Sequence, residues 1–142
     1  MRVFVLNGPN LNLLGTREPD IYGRDTLDDI GAMLTKRAEA LSLTIDMRQS
    51  NHEGHLIDWL HEAAASGAKA VILNPGGLTH TSVALRDAVA AIPVPVIEVH
   101  LSNPEAREAY RHTSLIAGVA RGSIRGFGAH SYLLALDAAA RL

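Results

Sequence analysis

Five short apolar runs, each followed in turn by a stretch with helical spacing or helix-start chemistry, restrict this chain to very few architectures. Arg2 to Leu6 and Ala70 to Leu73 are continuous and rich in β-branched residues, as strands covered on both faces usually are. Leu43 to Arg48 alternates apolar and polar positions, Val94 to Val99 gives a fourth strand, and Val119 to Ile124 a fifth. Between them, Thr26 to about Leu41 carries Leu27, Ile30, Leu34, Ala38 and Leu41 on one helical face, and Thr26 with Asp29 matches a capping box. Ser50 with Glu53 repeats that pattern and predicts a helix through Leu56, Ile57, Leu60 and Ala63, ending near Gly67. Further helices are predicted over Ser82 to Ala91 and Ser131 to Arg141, with a short one started by Asn103-Pro104. Such alternation predicts a parallel sheet with helices on both faces, an α/β fold. With five strands the flavodoxin-like order 2-1-3-4-5 follows, and its switch point lies between strands one and three.

The length of 142 residues predicts one domain, spanning 1–142, with room for a proper core. A net charge of −2 without runs of like sign argues against a nucleic-acid surface or a membrane-binding face. Absence of cysteine removes disulfides, thiol nucleophiles and Cys-ligated zinc together. No stretch approaches the roughly 20 apolar residues of a membrane span, and the N-terminus enters a strand rather than a signal peptide, which predicts a cytoplasmic protein.

The chemistry is concentrated where strands end. Asn7 to Gly23, "NGPNLNLLGTREPDIYG", leaves the first strand as a long segment without periodicity, the mark of a binding loop or lid. It carries Asn10, Arg17 and Tyr22. A guanidinium within a few ångströms of a phenol favours the phenolate, which makes Tyr22 a candidate base. The third strand delivers Asn74 and His80, and the fourth His100 and Ser102. The Asn74 amide cannot transfer protons at neutral pH, so it is suited to holding a substrate oxygen or orienting a water. Free N–H groups from Leu101 to Pro104, with the Ser102 hydroxyl beside them, suit a substrate carboxylate, and Arg111 could supply the formal charge. The alternative at that point is a plain helix start and a solvated arginine.

Other fragments fail. "HEGH" at His52 to His55 has its histidines three apart rather than four. "GFGAHS" at Gly126 to Ser131 lies too near the C-terminus for a second strand with a ribose-binding acid, so its glycines read as close-packing positions. A flavin site would need a Ser/Thr-rich phosphate loop after the first strand, and a phosphoacceptor receiver an acidic cluster at the strand ends, where only Glu98 is close. A flavodoxin-like binding module and another cofactor-free lyase or isomerase of a small carboxylated ketone stay open on these residues alone.

Taken together, the blocks "NGPNLNLLGTREPDIYG", "SNHEG", "LIDWLH", "NPGGLTHTSVALRDA" and "EVHLSNPEAREAYR" closely resemble the type II 3-dehydroquinate dehydratases over nearly the whole chain. The resemblance implies a flavodoxin-like fold and reversible dehydration of 3-dehydroquinate to 3-dehydroshikimate, with no metal, cofactor or Schiff base. It implies that Tyr22 removes the C2 proton and that Arg17, on a mobile lid, lowers its pKa. Asn10 would hold the water that stabilises the enolate, His100 would protonate the departing C1 hydroxyl, and Asn74 would help hold it. The carboxylate would lie on the backbone at Leu101 and Ser102 and on the Ser102 hydroxyl. Arg111 moves from carboxylate partner to contact ring hydroxyls with His80. Asp87 would reach a neighbouring subunit's site, because the family assembles as trimers grouped into a dodecamer. Aromatic biosynthesis and quinate breakdown both use this reaction. Ser131, where many members have Gly, and the looser "RHTSLIAGVARG" depart from the family pattern and bear on packing or assembly.

Overall fold

A computed structural model describes residues 1–142. Five parallel strands, β1 (Arg2–Asn7), β2 (Thr44–Gln49), β3 (Ala70–Asn74), β4 (Val96–His100) and β5 (Gly122–Arg125), form one sheet in the order 2-1-3-4-5. The helices are α1 (Pro19–Tyr22), α2 (Leu27–Ala40), α3 (Glu53–Ala65), α4 (Val83–Ala91) and α5 (His130–Ala140). This is the flavodoxin-like α/β arrangement predicted from the alternation of runs. No helix is long and apolar enough to cross a membrane.

Strand alternation explains the two cores. Val3 and Val5 of β1 face α2 and α5 together with Ile72, Ile97 and Val99. Phe4 and Leu6 face the other way, onto Leu56 and Leu60 of α3 and Leu85 of α4. Because both faces are dry, β1, β3 and β4 can be almost wholly apolar, and apart from Glu98 within β4 their polar residues lie at the strand ends. Helix α2 starts as the sequence predicts: the Thr26 hydroxyl accepts from Asp29 N–H at 3.1 Å and the Asp29 carboxylate accepts from Thr26 N–H at 2.9 Å.

Elsewhere the local expectations need correction. Ser50 and Glu53 form no capping box. The Ser50 hydroxyl accepts the His52 N–H at 3.0 Å and lies 2.7 Å from His55 Nδ1, while the Glu53 carboxylate accepts from the Ser82 hydroxyl. Asn103-Pro104 opens only a 3-10 turn, Pro104–Ala106, with no side-chain cap, and a second such turn, Ala109–Arg111, follows it. The fifth strand is shorter and later than predicted. Val119 and Ala120 both donate to the Ile116 carbonyl, so these residues close a turn over the second core instead of joining the sheet. Of the glycines expected to permit close packing, Gly126 also adopts φ +95°, a left-handed turn position beside Asn103.

At the switch point, β1 and β3 pair in register to their last residues, Asn7 opposite Asn74. One bond extends the ladder past both strands: the Gly8 N–H donates to the Asn74 carbonyl at 2.8 Å. That approach requires glycine. A Cβ on Gly8 would lie 2.6 Å from the Pro75 carbonyl oxygen and 2.9 Å from its carbon, both backbone atoms that cannot rotate away. Gly8→Ala is therefore expected to cost about 1–3 kcal/mol, read as a lower urea midpoint. Gly77→Ala, whose Cβ would meet nothing within 4 Å, is the control expected to leave the midpoint within error.

Candidate active site

A cavity of about 210 Å³ opens at the C-terminal ends of β1, β3 and β4. That is smaller than the roughly 300–1,000 Å³ of sites for drug-sized ligands, and it suits a compact molecule. Arg17, Arg107, Arg111, His80 and His100 line it and no carboxylate does, so the lining is organised for an anion.

The loop after β1 supplies one wall. Asn10 sits at φ 70°, a left-handed position that Asn tolerates better than most residues, and its N–H donates to Asn51 Oδ1 at 2.9 Å. Its side-chain amide makes no hydrogen bond within the chain and is free for a ligand or a water. The loop then turns through Leu11–Leu13 and reaches α1, whose last residue is Tyr22. Two guanidinium groups flank the Tyr22 ring: Arg17 with its Cζ 4.5 Å from the centroid and Arg107 at 5.1 Å. Arg107 also donates to the Ser102 hydroxyl at 3.2 Å, tying the tyrosine wall to the exit of β4.

The second wall is built on β4. His100 Nε2 lies 2.6 Å from Glu98 Oε2, and Glu98, two residues earlier on the same strand face, is fully buried. Burial is the largest single influence on that carboxyl and works to raise its pKa. Hydrogen bonds from His100, Thr79 and Ser114, with the charge of His100, outweigh it and hold Glu98 below the ordinary 4.5. With Nε2 committed to Glu98, Nδ1 is the ring nitrogen that His100 can offer to a ligand. Beyond it, the N–H groups of Leu101, Ser102 and Asn103 donate to nothing within the chain, three neighbouring donors at the rim of a cationic cavity. His80 is oriented by the Thr113 carbonyl, 2.8 Å from its Nδ1; that nitrogen carries the proton and leaves Nε2 free. Arg111 is held by Glu108, Nε to Oε2 at 2.7 Å.

The model for "Dehydroquinase class II" matches residues 1–140. The chain belongs to that family. The 3-dehydroquinate dehydratase of Hyphomonas neptunium is 60% identical over 99% of this chain and 93% of that protein. The one from Maricaulis maris is 61% identical over 96% and 93%. The crystal structure of the type II dehydroquinase from Butyrivibrio crossotus superposes with a TM-score of 0.96 at 41% identity, covering 98% of this chain and 97% of that one.

Nine of the ten predicted site residues of this dehydroquinase-family chain line the one cavity: Asn10, Arg17, Tyr22, Asn74, His80, His100, Leu101, Ser102 and Arg111. Asp87 does not. It stands exposed on α4, away from the cavity, and is paired with Arg86 at 3.0 Å. Two functional residues escaped the sequence reading. Arg107 lies between two 3-10 turns, where no local spacing announces that it reaches Tyr22 and Ser102. Glu98 is the lone acid in an apolar strand, at i−2 from His100, and a shared strand face was its signal. Because Glu98 titrates lower in the folded chain than in the unfolded one, its contribution to stability is complete above pH 4.5 and is lost as pH falls through the native value. Glu98→Gln is therefore expected to lower the thermal midpoint at neutrality and to flatten its decline on acidification below pH 4.5; a parallel decline in both proteins would contradict the assignment.

Proposed function

We propose that this chain is a type II 3-dehydroquinate dehydratase that eliminates water from 3-dehydroquinate in the anti sense, through an enolate. The observation that carries the reading is the pairing, in one cationic cavity, of a tyrosine between two guanidinium groups with a histidine backed by a buried carboxylate. The first suits a base that must carry negative charge, and the second an acid whose positive charge is compensated.

In the proposed cycle the substrate carboxylate docks on the free N–H groups of Leu101 and Ser102 and on the Ser102 hydroxyl, while His80 and Arg111 contact ring hydroxyls. The Tyr22 phenolate, stabilised by Arg17 and Arg107, takes the proton from C2. The C2–H electron pair moves into an enolate on the C3 oxygen, which a water held by the Asn10 amide stabilises. Collapse of the enolate forms the C1–C2 double bond and expels the C1 hydroxyl as water, with the proton coming from His100 and Asn74 holding the departing oxygen. Tyr22 then returns its proton to solvent and His100 regains one. An imine route lacks an amine: the chain has two lysines, Lys36 and Lys69, and neither lines the cavity. Asp87 completes the site of a neighbouring copy in a homo-oligomer of trimers grouped into a dodecamer.

The test is the conjugated-enone absorbance that develops when the purified protein meets 3-dehydroquinate. Turnover is expected to survive treatment with borohydride in the presence of substrate and treatment with a chelator; inactivation by borohydride would point to an imine instead. Tyr22→Phe is expected to lower kcat by about 10²–10⁴-fold while substrate-analogue binding is kept. Near-normal turnover in that variant would remove Tyr22 as the base.

A further inference from the structure

Behind the cavity runs a buried series of hydrogen bonds whose direction is fixed at both ends by backbone groups. Asn7 Nδ2 donates to the Arg48 carbonyl of β2 at 3.0 Å. A carbonyl only accepts, so the amide end facing β2 is the NH₂ and the opposite end, Oδ1, faces Tyr132. The Tyr132 hydroxyl, 2.6 Å from that oxygen, must spend its one proton there. Toward Asn74 it can then only accept, and Asn74 Nδ2 donates to it at 2.8 Å. The far end gives the same orientation independently: Asn74 Oδ1 accepts the Gly76 N–H at 3.2 Å, and an N–H can only donate. From either end, Asn74 has its NH₂ on Tyr132 and its carbonyl on Gly76.

All three side chains are buried, and only Asn74 lines the cavity. Burial pushes the Tyr132 phenol well above its ordinary value, which keeps the hydroxyl neutral and its proton committed. Of the two N–H groups on Asn74 Nδ2, one is on Tyr132 and the other is uncommitted. The two ends of an amide are nearly the same shape, so nothing steric prevents a flip that would exchange donor for acceptor. Only the series of hydrogen bonds distinguishes them.

We propose that Tyr132 and Asn7 are positioning residues that hold the Asn74 amide in one orientation, so that Asn74 meets the substrate as a hydrogen-bond donor. This rests on the dehydratase reading, in which Asn74 holds the departing hydroxyl. The amide orientation matters most as that oxygen leaves, and its loss falls on kcat rather than on KM.

The test is a double-mutant cycle on 3-dehydroquinate turnover by the full chain. Tyr132→Phe is expected to lower kcat about tenfold in the wild-type background and less than about twofold on top of Asn74→Ala, because its effect passes through Asn74. A general loosening of the fold would lower kcat by the same factor in both backgrounds. That result, or no loss from Tyr132→Phe, overturns the proposal. Asn7→Ala leaves Tyr132 and Asn74 in place and touches no part of the cavity. It is expected to show the same dependence on background, and it decides the matter if Tyr132→Phe does not fold. Equal losses in an active enzyme overturn the positioning role alone; a wild-type protein without turnover overturns the dehydratase reading and this inference with it.

Discussion

Everything functional in this molecule depends on the register between β1 and β3. They are neighbours in the sheet although not in sequence, and their pairing continues through Asn7 and Asn74 to a last bond between the Gly8 N–H and the Asn74 carbonyl. That bond holds two chain exits at backbone contact, at the point where the sheet's winding changes direction. A ligand crevice is expected there in any open α/β sheet, because the loops leaving the two strands part to opposite sides. Here the loop from β1 carries Asn10, Arg17 and Tyr22, the loop from β3 carries His80, and Asn74 is the last residue of β3 itself. A slip of one residue between the two strands would put Asn7 and Asn74 on opposite faces, so that both could no longer meet Tyr132.

The electrostatics are layered. The cavity wall holds three arginines and two histidines, and the acid that balances one of the histidines lies behind it, inside the sheet layer. Glu98 is kept ionised by His100, Thr79 and Ser114, and Arg125 stands 3.4 Å from its other oxygen. An anionic substrate therefore meets no acidic side chain in the cavity wall, while His100 can carry a positive charge that the fold already compensates. A carboxylate exposed in the cavity would repel the substrate's own.

Much of this was legible in the sequence where cause and pattern are local. Thr26 and Asp29 are three residues apart, and their capping box forms as read. Strand order followed from the alternation of elements, and the Asn10–Arg17–Tyr22 loop from the turn chemistry that follows β1. Tertiary competition defeated the rest. Ser50 and Glu53 have the spacing of a cap, but His55 and Ser82 offer each of them another partner. Arg107 was missed because Asn103-Pro104 promises a helix, whereas the chain makes two separate 3-10 turns and aims Arg107 at Tyr22. The part played by Tyr132 has no local signal at all: its hydroxyl meets Asn7, 125 positions earlier in the chain. Ser131, the departure from the family pattern, takes up a local role by accepting the Phe127 N–H at 3.0 Å.

The central claim is that a base on the β1 loop and an acid at the end of β4 act on the two faces of one small ring. The most direct measurement uses 3-dehydroquinate carrying deuterium at C2 on a single face, with the label followed by mass spectrometry in the enone product. Loss of the hydrogen anti to the departing hydroxyl, with the syn label retained, is the predicted result. Loss of the syn hydrogen would contradict the account, because one face of the ring would then have to serve both the base and the leaving group.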